Sequence, residues 1–299
     1  MTASTLARQR RATSIGFVAV LMWALLALFT AATGQVPPLQ LAAMTFGIAF
    51  ALALLKWLLR GENIVRHLRH RPLVWAVGVG GLFGYHFFYF VALRNAPAVE
   101  ASLIAYLWPL LIVLFSALLP GERLRWWHLA GAVTGLAGAA LLMGGDQDFS
   151  AGIRLAPGHI AALACAFLWS GYSVLSRRLG HVPTDMVGGF CGATALLALL
   201  AHLMFESTVW PVDARQWLAV AGLGLGPVGL AFFCWDHGVK HGHIQALGAS
   251  SYAAPLLSTL VLILFGFATA TWTVALACLL ITGGAVLASI DLLRPNKLR

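Results

Sequence analysis

The amino-acid sequence predicts an all-α integral membrane protein of ten transmembrane helices, built as two inverted five-helix repeats. Three observations predict it. The chain is 60% hydrophobic and only 10% charged, with a mean hydropathy of +0.86, whereas a soluble domain carries roughly 25% charged residues. Its apolar residues gather into ten runs, each close to the ~20 residues that a helix needs to cross ~30 Å of hydrocarbon. The chain also matches itself at an offset of 146 positions, at residues too distinctive for composition to explain.

The runs cover residues 14–33, 39–59, 73–93, 98–119, 126–143, 157–176, 184–205, 214–235, 244–267 and 271–293. A helix satisfies its own backbone hydrogen bonds in lipid, and the ~10-residue alternating segments of a barrel are absent. Arg8, Arg10 and Arg11 precede the first run, as in a signal peptide. That run exceeds the usual 7–15-residue signal core, so it is expected to stay as the first span. Gly34-Gln35-Val36-Pro37-Pro38 ends it, and a basic linker follows the second run. The third and fourth are separated by the polar knot Arg94-Asn95-Ala96-Pro97. Cys165, Cys191, Cys234 and Cys278 lie in apolar runs without metal or redox spacing, and read as small buried hydrophobes.

With the N-terminus inside, 16 of the 19 Lys and Arg residues fall on the inner side, leaving Arg94, Arg154 and Arg215 outside. The positive-inside rule then sets both termini in the cytoplasm, which in a bacterium means the inner membrane. The net charge of +9 is therefore a topology signal, not a nucleic-acid surface. The linker from Arg60 to Arg71 is a candidate contact for anionic membrane lipid.

At the 146-residue offset Trp23 falls on Trp169, Gly78 and Gly80 on Gly224 and Gly226, Tyr89 on Trp235, and Arg94 on Lys240. Tyr106 and Pro109 fall on Tyr252 and Pro255, Trp126 on Trp272, and Gly138 on Gly284. The expected organisation is a first repeat at 1–143, an outer linker at 144–156, and a second repeat at 157–299. Five is odd, so the halves must insert in opposite orientations. Secondary transporters use this arrangement, with the solute site at the repeat interface near mid-membrane.

The run Leu93-Arg94-Asn95-Ala96, then Ala105-Tyr106-Leu107-Trp108-Pro109, then Pro120-Gly121-Glu122-Arg123-Leu124, is similar to a signature of the drug/metabolite transporter superfamily. With the duplicated unit, the chain resembles its ten-span EamA-type exporters, and within them the YddG-type aromatic amino-acid exporters. The second half departs, with Gly266-Phe267-Ala268-Thr269 where the first has Gly-Glu-Arg-Leu. The resemblance implies a cavity walled by spans one, three, four, six, eight and nine. Matched residue by residue, it selects Trp23, Tyr85, Tyr89, Tyr106, Trp108, Trp169, Trp235 and Tyr252.

The residues themselves support part of that set and add other candidates. Tyr85 and Tyr89 are i, i+4 and share a helix face with Gly81; the alternative is an interfacial aromatic belt. His86 is an ionisable group within a span, either a solute or proton contact or a neutral ring satisfied by a backbone carbonyl. Pro109 and Pro255 remove backbone donors in mid-span and are expected to break their helices as hinges. Asp236, His237, His241 and His243 could suggest a metal, but read as a solvated inner loop interrupted by Gly238 and Gly242. No carboxylate is expected at mid-depth, and no cofactor, metal or catalytic residue. The expected function is alternating-access export of small amphipathic metabolites, foremost aromatic amino acids. The alternatives are a broader drug or metabolite exporter and an intramembrane enzyme, which would need a nucleophile with its base, or a metal, at mid-depth.

Overall fold

A computed structural model of the chain describes residues 3–144, 156–264 and 269–293. Most of the expected outer linker, with Asp146, Asp148 and Arg154, lies outside these residues, as do Gly266, Phe267, Ala268 and the basic tail from Arg294. The described backbone is helical and contains no strand.

Span 1 is Ala3–Trp23 continued by Leu26–Ala32, span 2 is Pro38–Leu59, and span 3 is Pro72–Val79 continued by Tyr85–Asn95. Span 4 is Ala98–Ala105 continued by Trp108–Ser116, and span 5 is Trp126–Gly144. Spans 6 and 7 are Pro157–Arg178 and Met186–Phe205. Span 8 is Ala214–Leu225 continued by Ala231–His241, span 9 is Ile244–Ser250 continued by Ala253–Leu264, and span 10 is Trp272–Ala288. Pro38, Pro72 and Pro157 open their helices, where a missing N–H costs nothing. Asp213 and Thr271 cap spans 8 and 10 by accepting from the N–H groups of Gln216 and Val274.

The two largest boundary differences from the sequence reading are in spans 1 and 8. Span 1 begins at Ala3, because the arginines before the apolar run are good helix formers and stay outside the hydrocarbon. Span 8 runs through Gly238 to His241 instead of ending at Trp235. Gly238 does not break it. A Cβ there would sit 2.5 Å from the Cα of Gly16, so the glycine admits span 1 to close contact. Asp236 is consequently buried near the inner end of a span, not solvated in a loop.

The packing follows a pseudo-two-fold pattern. Span 2 packs against span 7 and span 5 against span 10, each against its own repeat mate. Span 1 lies against span 8 as span 6 lies against span 3, and span 9 meets span 1 as span 4 meets span 6. Spans 1, 8 and 9 thus form one group and spans 6, 3 and 4 its counterpart. Gly78 seats Phe190 of span 7, and its mate Gly224 seats Ile48 of span 2. Spans 3 and 8 each contain one π-helical turn, Gly80–Gly84 and Gly226–Leu230, and these match at the 146-residue offset.

The span 5–span 10 contact depends on glycine. A Cβ on Gly284 would lie 2.6 Å from the carbonyl oxygen of Gly131, whereas one on Gly283 meets nothing within 4 Å. Gly284→Ala is expected to lower stability by about 1–3 kcal/mol, while Gly283→Ala leaves it unchanged or raised by up to ~1 kcal/mol. Thermal unfolding of the detergent-solubilised protein measures both.

His243, between spans 8 and 9, caps span 9: its Nδ1 accepts from the Ala246 N–H at 3.2 Å. Burial, aided by neighbouring His128, pushes its pKa down to about 4, from an unfolded value near ~6.5. A depressed histidine contributes its full stability above the unfolded pKa. That contribution is expected to fall away as pH drops from about 6.5 toward about 4. His243→Asn keeps a capping acceptor and should lose less stability over that interval, read as melting temperature against pH.

Candidate solute-binding site

Four tryptophans from four spans converge. Trp23 closes the first part of span 1, Trp108 opens the second part of span 4, and Trp169 and Trp235 come from spans 6 and 8. All their pairings have ring centroids between 5.1 and 6.2 Å apart. Most are edge-to-face or tilted, the favoured geometry for rings with a negative face and a positive edge.

The cluster lies on the axis that relates the repeats. Trp23 meets its own mate Trp169 at 5.7 Å, and His86 meets its mate Phe232 at 6.2 Å, nearly perpendicular. Two equivalent positions can touch only where the two-fold axis passes between them. The π turns supply the polar anchors, as such single turns often do at functional sites. Trp23 Nε1 donates to the carbonyl of Pro227 at 3.1 Å in the span 8 turn, and His86 Nδ1 lies 2.7 Å from that of Leu82 in the span 3 turn. A carbonyl only accepts, so Nδ1 carries the proton and Nε2 keeps a lone pair.

Tyrosines extend the cluster on one side. Tyr85 stacks on Tyr89 at 6.0 Å and touches Trp169 at 5.7 Å; Tyr106 touches Trp108 at 6.5 Å. Tyr89 Oη and Ser102 Oγ are hydrogen-bonded at 3.1 Å. Tyr85, His86, Tyr89 and Tyr106 are half-buried, whereas Trp108 and Trp169 are 5% and 4% exposed and Trp235 is fully buried. Accessibility thus falls from the tyrosine wall and half-buried Trp23 to a floor of Trp108, Trp169 and Trp235. Below it, Trp235 Nε1 donates to Ser173 Oγ at 3.0 Å, and Ser173 donates to the Trp169 carbonyl at 2.9 Å.

Other candidates fall elsewhere. Tyr252 is fully buried against Ala139 and Ile281 of spans 5 and 10. Its hydroxyl accepts from the Leu110 N–H at 3.2 Å, one of the donors that a broken helix leaves unpaired. The breaks themselves lie at Tyr106–Leu107 and Ser251–Tyr252, with Pro109 and Pro255 in the first turn of the helix that resumes. Gly81 does not extend the tyrosine face; it seats Tyr172. Sequence reasoning did not select Phe232, which touches Trp23 and Trp169 and stacks on Phe46 at 5.5 Å. The available signal was its standing at the offset from His86; Phe46 offered none.

Of the expected inner histidine loop, His237 and His241 lie side by side with ring centroids 4.9 Å apart. Asp236 pairs with Lys240 at 2.7 Å. His243 instead meets His128 and Asp291. Both histidines accept a backbone N–H at Nδ1, each at 3.2 Å, so their protons occupy Nε2, where a metal would need a lone pair.

Two opposed five-span halves meeting around an aromatic site on their shared axis define the architecture of a secondary transporter. The model of the EamA-like transporter family matches residues 11–144 and again 156–290. The chain belongs to that family. It is 55% identical over 280 residues to the aromatic amino acid exporter YddG of Ancylobacter novellus, covering 93% of this chain and 97% of that one. The aromatic amino acid exporter YddG of Salmonella typhimurium is 24% identical over 84% of this chain and 87% of its own length. The pseudopaline exporter CntI of Pseudomonas aeruginosa is 29% identical over 60% of this chain and 62% of its own length. A solved crystal structure with 55% identity superposes with a TM-score of 0.87, over 95% of this chain and 99% of that one.

The Trp235–Ser173 bond fixes the floor of the site. Ser173→Ala leaves a fully buried indole N–H unpaired and is expected to cost about 1–3 kcal/mol, seen as a lower melting temperature. Ser173→Thr keeps the hydroxyl and should lose less.

Proposed function

We propose that this protein exports aromatic amino acids across a bacterial inner membrane, with both termini in the cytoplasm. The observation that carries the reading is the convergence of Trp23, Trp108, Trp169 and Trp235 on the repeat axis beside an accessible wall of Tyr85, Tyr89 and Tyr106. A planar side chain gains about 0.5–1.5 kcal/mol per stacked ring beyond area burial, so several rings together discriminate it from an aliphatic one. The amino-acid end needs polar partners. His86 Nε2 offers an acceptor for the ammonium group, and the tyrosine hydroxyls offer donors to the carboxylate. The names of the YddG relatives support the same solute class.

Each repeat, 1–143 and 157–299 joined by the outer linker at 144–156, gives spans to both bodies of the transport cycle, spans 1, 8 and 9 forming one and spans 3, 4 and 6 the other. Pro109 and Pro255 provide their hinges, one in each half, since the helix breaks beside them remove the hydrogen bonds that would resist bending. Alternating access would then expose the site to one side at a time. The two walls are unequal. Trp108, Tyr85 and His86 stand opposite Ala254, Ala231 and Phe232 at the 146-residue offset. Discrimination between solutes is therefore assigned to the wall of spans 3 and 4.

Uptake by liposomes containing the purified protein tests the reading, with tryptophan, phenylalanine, threonine and a cationic dye as solutes. Tryptophan and phenylalanine should enter, and threonine and the dye should not. Entry of the dye or threonine at equal rate would favour a broader metabolite exporter. Trp108→Ala and Trp169→Ala should each raise the half-saturating tryptophan concentration by about five- to tenfold, the loss of one or two ring contacts. Unchanged transport in both variants would move the site elsewhere.

A further inference from the structure

The family signature ends in Gly-Glu-Arg-Leu in the first half only, and the geometry around Glu122 gives that asymmetry a use. Glu122 follows Gly121, whose φ of +82° turns the chain back under span 4. Its carboxylate forms an ion pair with Arg177 at the inner end of span 6 and accepts from Gln245 Nε2 of span 9 at 3.0 Å. Arg177 also donates through Nη1 to the carbonyls of Val239 and Gly242, which end span 8, at 2.9 and 2.8 Å. One carboxylate and one guanidinium thereby join spans 6, 8 and 9 and the loop after span 4.

These contacts cross between the two packed groups. Spans 1, 8 and 9 lie on one side of the repeat axis and spans 3, 4 and 6 on the other. Among the described residues, the hydrogen bonds between the groups lie at the tryptophan floor or at the inner end: Trp235 to Ser173, Leu110 to Tyr252, and the Glu122–Arg177–Gln245 cluster. None joins the outer portions, 24–33, 214–230 and 253–264, to 86–95, 98–105 and 157–168. The ties at the outer end run within a group, as between Glu100 and His159 at 2.8 Å, or to span 7, as between Arg94 and Glu206 at 3.2 Å. The repeat supplies no outer counterpart. At the 146-residue offset Glu122, Arg177 and Gln245 correspond to Ala268, Ala31 and Val99.

We propose that Glu122 and Arg177 form a one-sided bolt, which holds the inner end shut and biases the empty transporter toward the outward-open arrangement. Solute export requires the bolt to open once per cycle. An inverted repeat with identical halves would give two conformations of equal energy. A charge pair present at one end alone separates them, and a pair shielded from bulk water on several sides is screened less than an exposed one. The proposal rests on the alternating-access reading, but its test needs no solute, so its failure is distinct from that of the aromatic-amino-acid assignment.

Ser176 is the reporter. It is 4% exposed and shares a small cavity with Asp236 and Lys240 of span 8, so separation of spans 6 and 8 uncovers it. In a background with the four native cysteines replaced, Ser176→Cys is labelled with a membrane-impermeant maleimide from the cytoplasmic face of inverted vesicles. Glu122→Gln keeps the side chain's shape and removes its charge. It should accelerate labelling by about fivefold or more, the population shift expected when a charge pair is lost. Glu122→Asp should label at close to the unmodified rate. Melting temperature of each variant separates bolt release from unfolding. Equal labelling of folded Glu122→Gln and its parent would overturn the proposal, as would equal acceleration by Glu122→Asp.

Discussion

A two-fold axis through the membrane interior is the constraint on which this structure depends. Because the halves insert in opposite senses, a residue near the axis must contact its own repeat mate, as Trp23 contacts Trp169 and His86 contacts Phe232. A large ring on the axis therefore meets rings from both halves at once. Four spans deliver tryptophans to one place, while the mate pairs span 2–span 7 and span 5–span 10 join the halves by direct helix packing. Polar ring atoms there still need partners in a low-dielectric interior. The π turns of spans 3 and 8 provide them, through carbonyls beside the axis that accept from His86 and Trp23.

Departures from the two-fold pattern are as informative as the pattern. Tyr106 and Tyr252 occupy equivalent positions, yet Tyr106 touches Trp108 while Tyr252 satisfies a backbone N–H and packs toward spans 5 and 10. Ala254 stands where the first half has Trp108, so the second half has no ring for Tyr252 to join. Buried charge is likewise one-sided. Asp236 and Lys240 are paired inside span 8, with Thr184 donating to the carboxylate at 2.7 Å and Lys240 donating to the Val182 carbonyl at 2.9 Å. Burying two charges costs several kcal/mol per ion before pairing offsets it, which explains why each member has acquired further polar partners.

Much of the architecture was legible in the sequence because lipid imposes simple rules. A span must be long, apolar and helical, and basic residues stay inside, so span number and class follow from composition and spacing. The repeat was legible because Trp, Tyr and Pro are rare enough for coincidence at one offset to carry weight. Helix ends beyond the apolar runs were less legible. Gly238 reads as a breaker in isolation, yet it keeps span 8 helical because its missing side chain is required by the closeness of Gly16. That requirement lies on another span, more than 200 positions away.

The sequence alone determined that the chain is a helical membrane protein with a duplicated unit, and it selected the four tryptophans that meet at the centre. Periodicity, hydropathy and charge are local properties, and the offset is a property of one line of text. Only the tertiary structure decided which aromatics share the axis, that Phe232 and Phe46 join them and Tyr252 turns away. It alone also showed that Glu122 reaches Arg177 across spans. Those outcomes depend on which helix faces meet, and facing is set by packing between segments far apart in the chain.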